Sequence, residues 1–153
     1  MIDELQKKRV VLDTNQILAA GSRWVDPLYH NPNSPAQELV RVVARSHTGL
    51  FSPKIMAGYI EKLLEKGHPK KRVTKIIGLL LEVFEQINIT TATCSPVPTD
   101  LDDIIFLLCA IDGQANFIIS NDQHLLVLDQ AYPQFRIYNP ETAIKELQET
   151  QKE

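Results

Sequence analysis

The chain has 153 residues, of which 44 % are hydrophobic and 23 % charged, with six glycines and a formal net charge of −3. This length suffices for one domain spanning 1–153, since such a chain hides roughly 70 % of its extended surface on folding, and it is too short for two. The composition excludes a disordered, collagen-like or low-complexity chain, and no uncharged apolar run approaches the roughly 18 residues of a membrane span.

In chain order, Arg9-Val10-Val11-Leu12-Asp13 is a short apolar run of the kind buried on both faces of a parallel sheet, and it stops at Asp13-Thr14-Asn15. Residues 21–33 carry Gly, Pro and Asn without a helical or strand period, which predicts a long loop bearing Trp24 and Tyr29. Ser34-Pro35 with Gln37 opens a helix to about Ser46, with Leu39, Val42 and Val43 inward. Gly49–Ser52 is a second strand. Ser52-Pro53 opens a helix carrying Ile55, Tyr59 and Leu63, ended by Gly67. A longer helix is expected from about Pro69, with Val73, Ile76, Ile77, Leu80, Leu81, Phe84 and Ile87 on its apolar face. The β-branched run Ile89–Thr93 predicts a third strand. After Ser95-Pro96-Val97-Pro98, Thr99 is expected to cap a helix running to Gly113, with Asp102 in a capping-box position. Phe117–Ser120 is a strand, His124–Leu128 a short helix, Arg136–Tyr138 the last strand, and Asn139-Pro140 caps a terminal helix with Ile144 and Leu147 inward. Strands alternating with helices predict an α/β fold with a parallel sheet covered on both sides.

Cys94 and Cys109 form no CxxC spacing and are expected to be reduced and structural. His30, His47, His68 and His124 are scattered, which predicts surface or capping roles rather than metal ligation. The opening MIDELQKKR lacks the apolar centre of a secretion signal, so the expected compartment is the cytoplasm, with no membrane partner.

The acids carry the functional signal. Asp13 closes one strand and Asp122 follows another, where ligands bind in open parallel sheets. Asp103 shares a helix face with Phe106, Leu107 and Ala110, so it is turned inward. Each has a plainer reading: Asp13 as a cap, Asp103 as a first-turn acid, Asp122 in an Asx turn. Three converging carboxylates require a cation, since like charges about 4 Å apart repel by roughly 4 kcal/mol at an effective dielectric of 20. Oxygen donors without a nearby His or Cys select Mg²⁺ or Mn²⁺, which can join an acidic pocket to a phosphodiester and activate water. A net negative chain must then hold a polyanion through those cations or a local basic patch. The densest patch includes Lys70, Lys71 and Arg72, with Lys7, Lys8 and Arg9 as a second.

Together Val10–Asn15, Asp100–Asp103 with Phe106, Leu107 and Ala110, and Ala115–Asp122 resemble the PIN-domain family, over roughly residues 9–145. The resemblance implies a three-layer α/β/α fold and an Mg²⁺- or Mn²⁺-dependent ribonuclease acting on single-stranded RNA, of the kind found as the toxin of toxin–antitoxin pairs. It implies Asp13, Asp103 and Asp122 as catalytic metal ligands and Asn15 and Ser120 as polar supports; Asp100, an adjacent acid, is expected to be at most an outer support. An antitoxin protein and pairing of two copies through helices are the partners it brings. The family's usual glutamate after the second strand falls on Gly58; Glu61, about 4.5 Å further along the helix and about 60° around it, is the candidate replacement. Gly58 opens an alternative reading, a weak or inactive RNA-binding or regulatory domain. A phosphoacceptor receiver domain is disfavoured because only one acid follows the first strand, and no GxGxxG or GxxxxGK[ST] segment is present for a nucleotide.

Overall fold

The computed structural model describes residues 7–21 and 34–152, with the side chains of 150–152 set aside. The long loop expected over 21–33, with Trp24 and Tyr29, lies outside the described residues apart from Gly21. The elements are β1 (Arg9–Leu12), α1 (Thr14–Ala20), α2 (Pro35–Ser46), β2 (Thr48–Phe51), α3 (Pro53–Glu65), α4 (Lys70–Val83) and β3 (Glu85–Gln86). They continue with a 3-10 turn (Leu101–Asp103), α5 (Ile104–Asp112), β4 (Phe117–Ile119), α6 (Gln123–Leu126), β5 (Arg136–Tyr138) and α7 (Pro140–Lys152). The five strands form one parallel sheet in the order β3-β2-β1-β4-β5. Helices cover it in a three-layer α/β/α arrangement: α2 packs on α1 and α7, and α5 on β1, β2 and β4.

The local signals act as their chemistry predicts. Ser34 Oγ accepts the Gln37 N–H at 3.3 Å, Ser52 Oγ the Ile55 N–H at 3.2 Å, and Asn139 Oδ1 the Thr142 N–H at 2.8 Å, each supplying an acceptor to a helix start. Val10, Val11, Leu12, Leu50, Ile118 and Ile119 are fully buried, which is why the central strands read as unbroken apolar runs. Cys94 and Cys109 are free and buried. Gly49 faces the Phe84 ring so closely that a Cβ there would lie 2.6 Å from it; glycine is what lets α4's end settle on β2.

Four expectations are corrected. A helix, α1, follows Asp13 directly where a loop was expected. α4 ends at Val83, so Ile87 lies beyond it, and Leu81 is exposed. The third strand is Glu85–Gln86, not Ile89–Thr93. The reason is a carboxylate: Asp112 Oδ2 takes the N–H groups of Thr90 and Thr91 at 2.7 and 2.9 Å, and Asp112 Oδ1 the Thr91 hydroxyl at 2.5 Å. These bonds tie the β-branched run to the end of α5, and the Thr91 hydroxyl foremost holds the Asp112 pKa below the usual carboxylate value. The edge position falls instead to a two-residue polar strand, a form that discourages edge-to-edge pairing. Finally, Asp100 rather than Thr99 caps the turn before α5, accepting the Asp102 N–H at 3.0 Å.

Arg9 is similarly committed. Its guanidinium forms a two-pronged pair with Glu85 at 3.1 and 2.6 Å, and its Nε donates to the Gly113 carbonyl at 2.8 Å. This clasp ties β1, β3 and the end of α5 at the amino ends of the strands.

His47 is buried, and its Nδ1 accepts the Lys8 N–H at 3.0 Å, which requires the neutral ring. Burial foremost, with Lys8 and Lys7 adding to it against the pull of the Leu147 backbone, holds its pKa below 6.5. A depressed histidine contributes stability above the unfolded-state pKa and loses it as pH falls through the folded one. His47→Asn keeps an acceptor near the Nδ1 position without titrating. Thermal melts at pH 7.5 and 5.0 are therefore expected to show a larger fall in midpoint for the wild-type chain than for this variant; equal falls would refute the assignment.

Candidate active site

β1 leads leftward in the sheet to β2, whereas β4 leads the other way to β5, so the strand order switches between β1 and β4. The crevice beyond their carboxyl ends is where such sheets bind ligands. A cleft of about 640 Å³ opens there, lined by Asp13, Thr14, Asn15, Lys54, Ala57, Gly58, Glu61, Lys62, residues 100–106 and Asp122.

Asp13 ends β1 and caps α1. It is 5 % exposed, with Oδ1 accepting the Gln16 N–H at 3.2 Å and Oδ2 accepting the Ser120 hydroxyl. Ser120 Oγ also accepts the Asp122 N–H at 2.9 Å, so one buried serine links the two strand-end acids. Burial raises the Asp13 pKa, the Ser120 bond opposes this, and the Asp122 charge adds to the rise. Asp122 caps α6 through Oδ1, which accepts the His124 N–H at 2.9 Å. The capping readings of Asp13 and Asp122 thus hold alongside their place in the cleft.

Asp103 is 8 % exposed, and its Oδ2 is buried with no hydrogen-bond partner among the described residues. Its pKa is pushed up to about 7, first by burial, then by the negative charges of Asp122 and Asp100, then by a side-chain hydrogen bond shared with Asp122 and, last, by the charge of Asp13. An acid in this condition is unfavourable as a bare anion and has a free acceptor for a cation. Oxygen donors, mutual repulsion and an orphaned buried carboxylate oxygen together suit a hard divalent ion.

The expected site residues divide clearly. Asp13, Asp103, Asp122, Glu61, Asp100 and Asn15 all line the cleft, and Ser120 lies directly behind it. Glu61 and Gly58 share the α3 wall. Lys62 pairs at 3.1 Å with Glu65, and a Cβ at position 58 would meet nothing within 4 Å. Lys70, Lys71 and Arg72 are exposed at the start of α4 and are not among the lining residues; among the described residues the lining cations are Lys54 and Lys62. Sequence reasoning missed these two lysines and the buried Gln16. His124 is exposed, as expected of a surface residue, and an imidazole nitrogen of it and one carboxylate oxygen each of Asp100 and Asp103 lie within 4.8 Å of one another.

Comparison with known proteins agrees with this architecture. A search of curated protein sequences finds no match. Among solved structures, the chain is similar to VapBC2 from Rickettsia felis bound to a DNA fragment from their promoter, with a TM-score of 0.55 and 16 % identity over 86 % of this chain and 98 % of that one. A PIN domain family model matches residues 9–124, which take in β1, both strand-end acids and every residue named in the cleft; the chain belongs to the PIN domain family.

Proposed function

We propose that this protein is a ribonuclease that uses Mg²⁺ or Mn²⁺ to hydrolyse phosphodiester bonds of single-stranded RNA, with Asp13, Asp103 and Asp122 as the metal-holding catalytic acids. The observation that carries the reading is the meeting of three acids from separate segments in one cleft, one of them with a buried oxygen that has no donor among the described residues. Asp13, Asp103 and Asp122 would hold the divalent ion, which would supply positive charge to offset theirs and to attract phosphate oxygen into an otherwise repellent pocket. The chain's own groups do the rest. Ser120 and Gln16 fix the Asp13 carboxylate, Asp122 is oriented by its bond to Ser120, and Lys54 and Lys62 attract the phosphates of an incoming strand at the rim. In hydrolysis a water oxygen bonds to phosphorus, the ester oxygen departs, and a proton goes to it. Asn15 is exposed on the same wall, suited to contact the substrate. Glu61 supplies further negative charge beside Gly58.

The R. felis protein, similar in fold, is a VapBC2 assembly on DNA. By analogy we place this chain as the toxin of a toxin–antitoxin pair, with an antitoxin as its protein partner. A second reading, an RNA-binding domain of weak or absent catalysis, draws on Gly58, where no side chain enters the cleft. Purified protein incubated with single-stranded RNA, duplex RNA and single-stranded DNA, with Mn²⁺, Mg²⁺ or EDTA, separates the two. Internal cleavage of single-stranded RNA that EDTA abolishes supports the ribonuclease; intact RNA at millimolar Mn²⁺ supports the binder.

A further inference from the structure

We propose that Asp100, Asp103 and His124 form a divalent-cation site in which His124 contributes an imidazole nitrogen, so that the cleft takes Co²⁺ and Zn²⁺ in preference to Mg²⁺. The inference deepens the metal reading above, sharing Asp103 with it, but adds a nitrogen donor that the all-carboxylate set lacks.

Three observations support the site. The candidate donor atoms lie within 4.8 Å of one another. An ion with donors at about 2.0–2.2 Å holds them no more than about 4.4 Å apart, so small rotations of the exposed Asp100 and His124 side chains complete the site. Asp103 is the fixed donor: it is more than nine-tenths buried, it lines the cleft, and its Oδ2 has no hydrogen-bond partner among the described residues. An acceptor left unpaired in this way is costly unless something occupies it. Asp100 and His124 are anchored at the backbone side. Asp100 Oδ1 holds the Asp102 N–H, leaving Oδ2 available, and the His124 N–H is held by Asp122 Oδ1.

Asp122 contributes a second time. Its Oδ1 stands 3.7 Å from His124 Nδ1, and metal-bound imidazoles characteristically direct their other ring nitrogen toward a carboxylate, which sets ring orientation and basicity. This arrangement gives Asp122 the role of orienting His124 and leaves Nε2 for the ion. Imidazole suits Co²⁺, Zn²⁺ and Mn²⁺, whereas Mg²⁺ favours oxygen donors and retains its waters.

The test uses the full chain after EDTA treatment, with calorimetric titration of Co²⁺ and Mg²⁺ and pulsed EPR of the Mn²⁺-loaded protein to detect a bound nitrogen. Wild-type protein is expected to bind Co²⁺ at least about tenfold more tightly than Mg²⁺. His124→Gln should weaken Co²⁺ roughly 10–100-fold, change Mg²⁺ by less than about threefold, and remove the nitrogen signal. Asp100→Asn should weaken Co²⁺ while leaving the nitrogen signal in place. Both side chains are exposed, and circular dichroism verifies that the variants fold. Absence of a nitrogen signal in wild type, or its persistence in His124→Gln, overturns the site. Nitrogen ligation without RNA cleavage removes the nuclease reading and leaves the site standing; Mg²⁺-dependent cleavage without nitrogen ligation does the reverse.

Discussion

Asp13→Asn is expected to lower metal-dependent cleavage of single-stranded RNA by at least about 10³-fold, a loss of roughly 4 kcal/mol of transition-state stabilisation, while the metal-free fold stays within about 1 kcal/mol of wild type. The two halves have separate physical origins. Cleavage falls because a neutral amide is a poorer partner for a hard cation than a carboxylate. Stability holds because two changes oppose each other. Asparagine can still accept the Gln16 N–H through its oxygen, but its NH₂ then faces Ser120, whose hydroxyl loses its acceptor. Against that loss, a buried charge whose pKa is already raised by desolvation and by Asp122 is removed. Cleavage assays beside thermal melts in EDTA check both; retained cleavage would reject Asp13 as a catalytic ligand.

The second large effect is expected at Gly58. The position lines the cleft and its Cβ would meet nothing within 4 Å among the described residues, so a longer side chain has room to enter the cleft. Gly58→Ala isolates the backbone contribution: inside α3 it should stabilise the chain by about 0.5–1 kcal/mol. Gly58→Glu adds an acid to the cleft that Asp103 also lines, so in EDTA its midpoint should fall below that of the alanine variant, because the cleft already crowds like charges. Adding Mn²⁺ should reverse that order, with metal affinity and cleavage rate rising by at least about tenfold as a further oxygen donor becomes available. Unchanged cleavage in Gly58→Glu would mean that the missing acid does not limit the reaction and that Glu61 suffices or catalysis is absent for another reason.

What the sequence discloses follows the range of the forces involved. Ser34, Ser52 and Asn139 announce their helices because a cap and a proline act within one turn. The central strands announce themselves because burial on both faces leaves an unbroken apolar run. Asp13 and Asp122 are placed by the same logic, since strand ends in a parallel sheet share one rim. The misses are long-range. Glu85–Gln86 has no strand signature and is recruited by the sheet edge and by Arg9, 76 residues away. Ile89–Thr93 has the signature, but the Asp112 carboxylate binds its amides. α1 is only seven residues long, with Gln16, Ile17 and Ala20 buried, too little for a periodic pattern. Lys54 and Lys62 reach the cleft by tertiary folding, so spacing along the chain could not join them to Asp103.

The capping duty of Asp13 has a practical result. Because asparagine serves a helix start as well as aspartate does, Asp13→Asn should yield a folded but inert protein whose cleft carries one negative charge fewer. Such a protein would serve as bait: cross-linked to a cell's transcripts and sequenced, it should retain uncut the RNAs that the proposed ribonuclease would cleave.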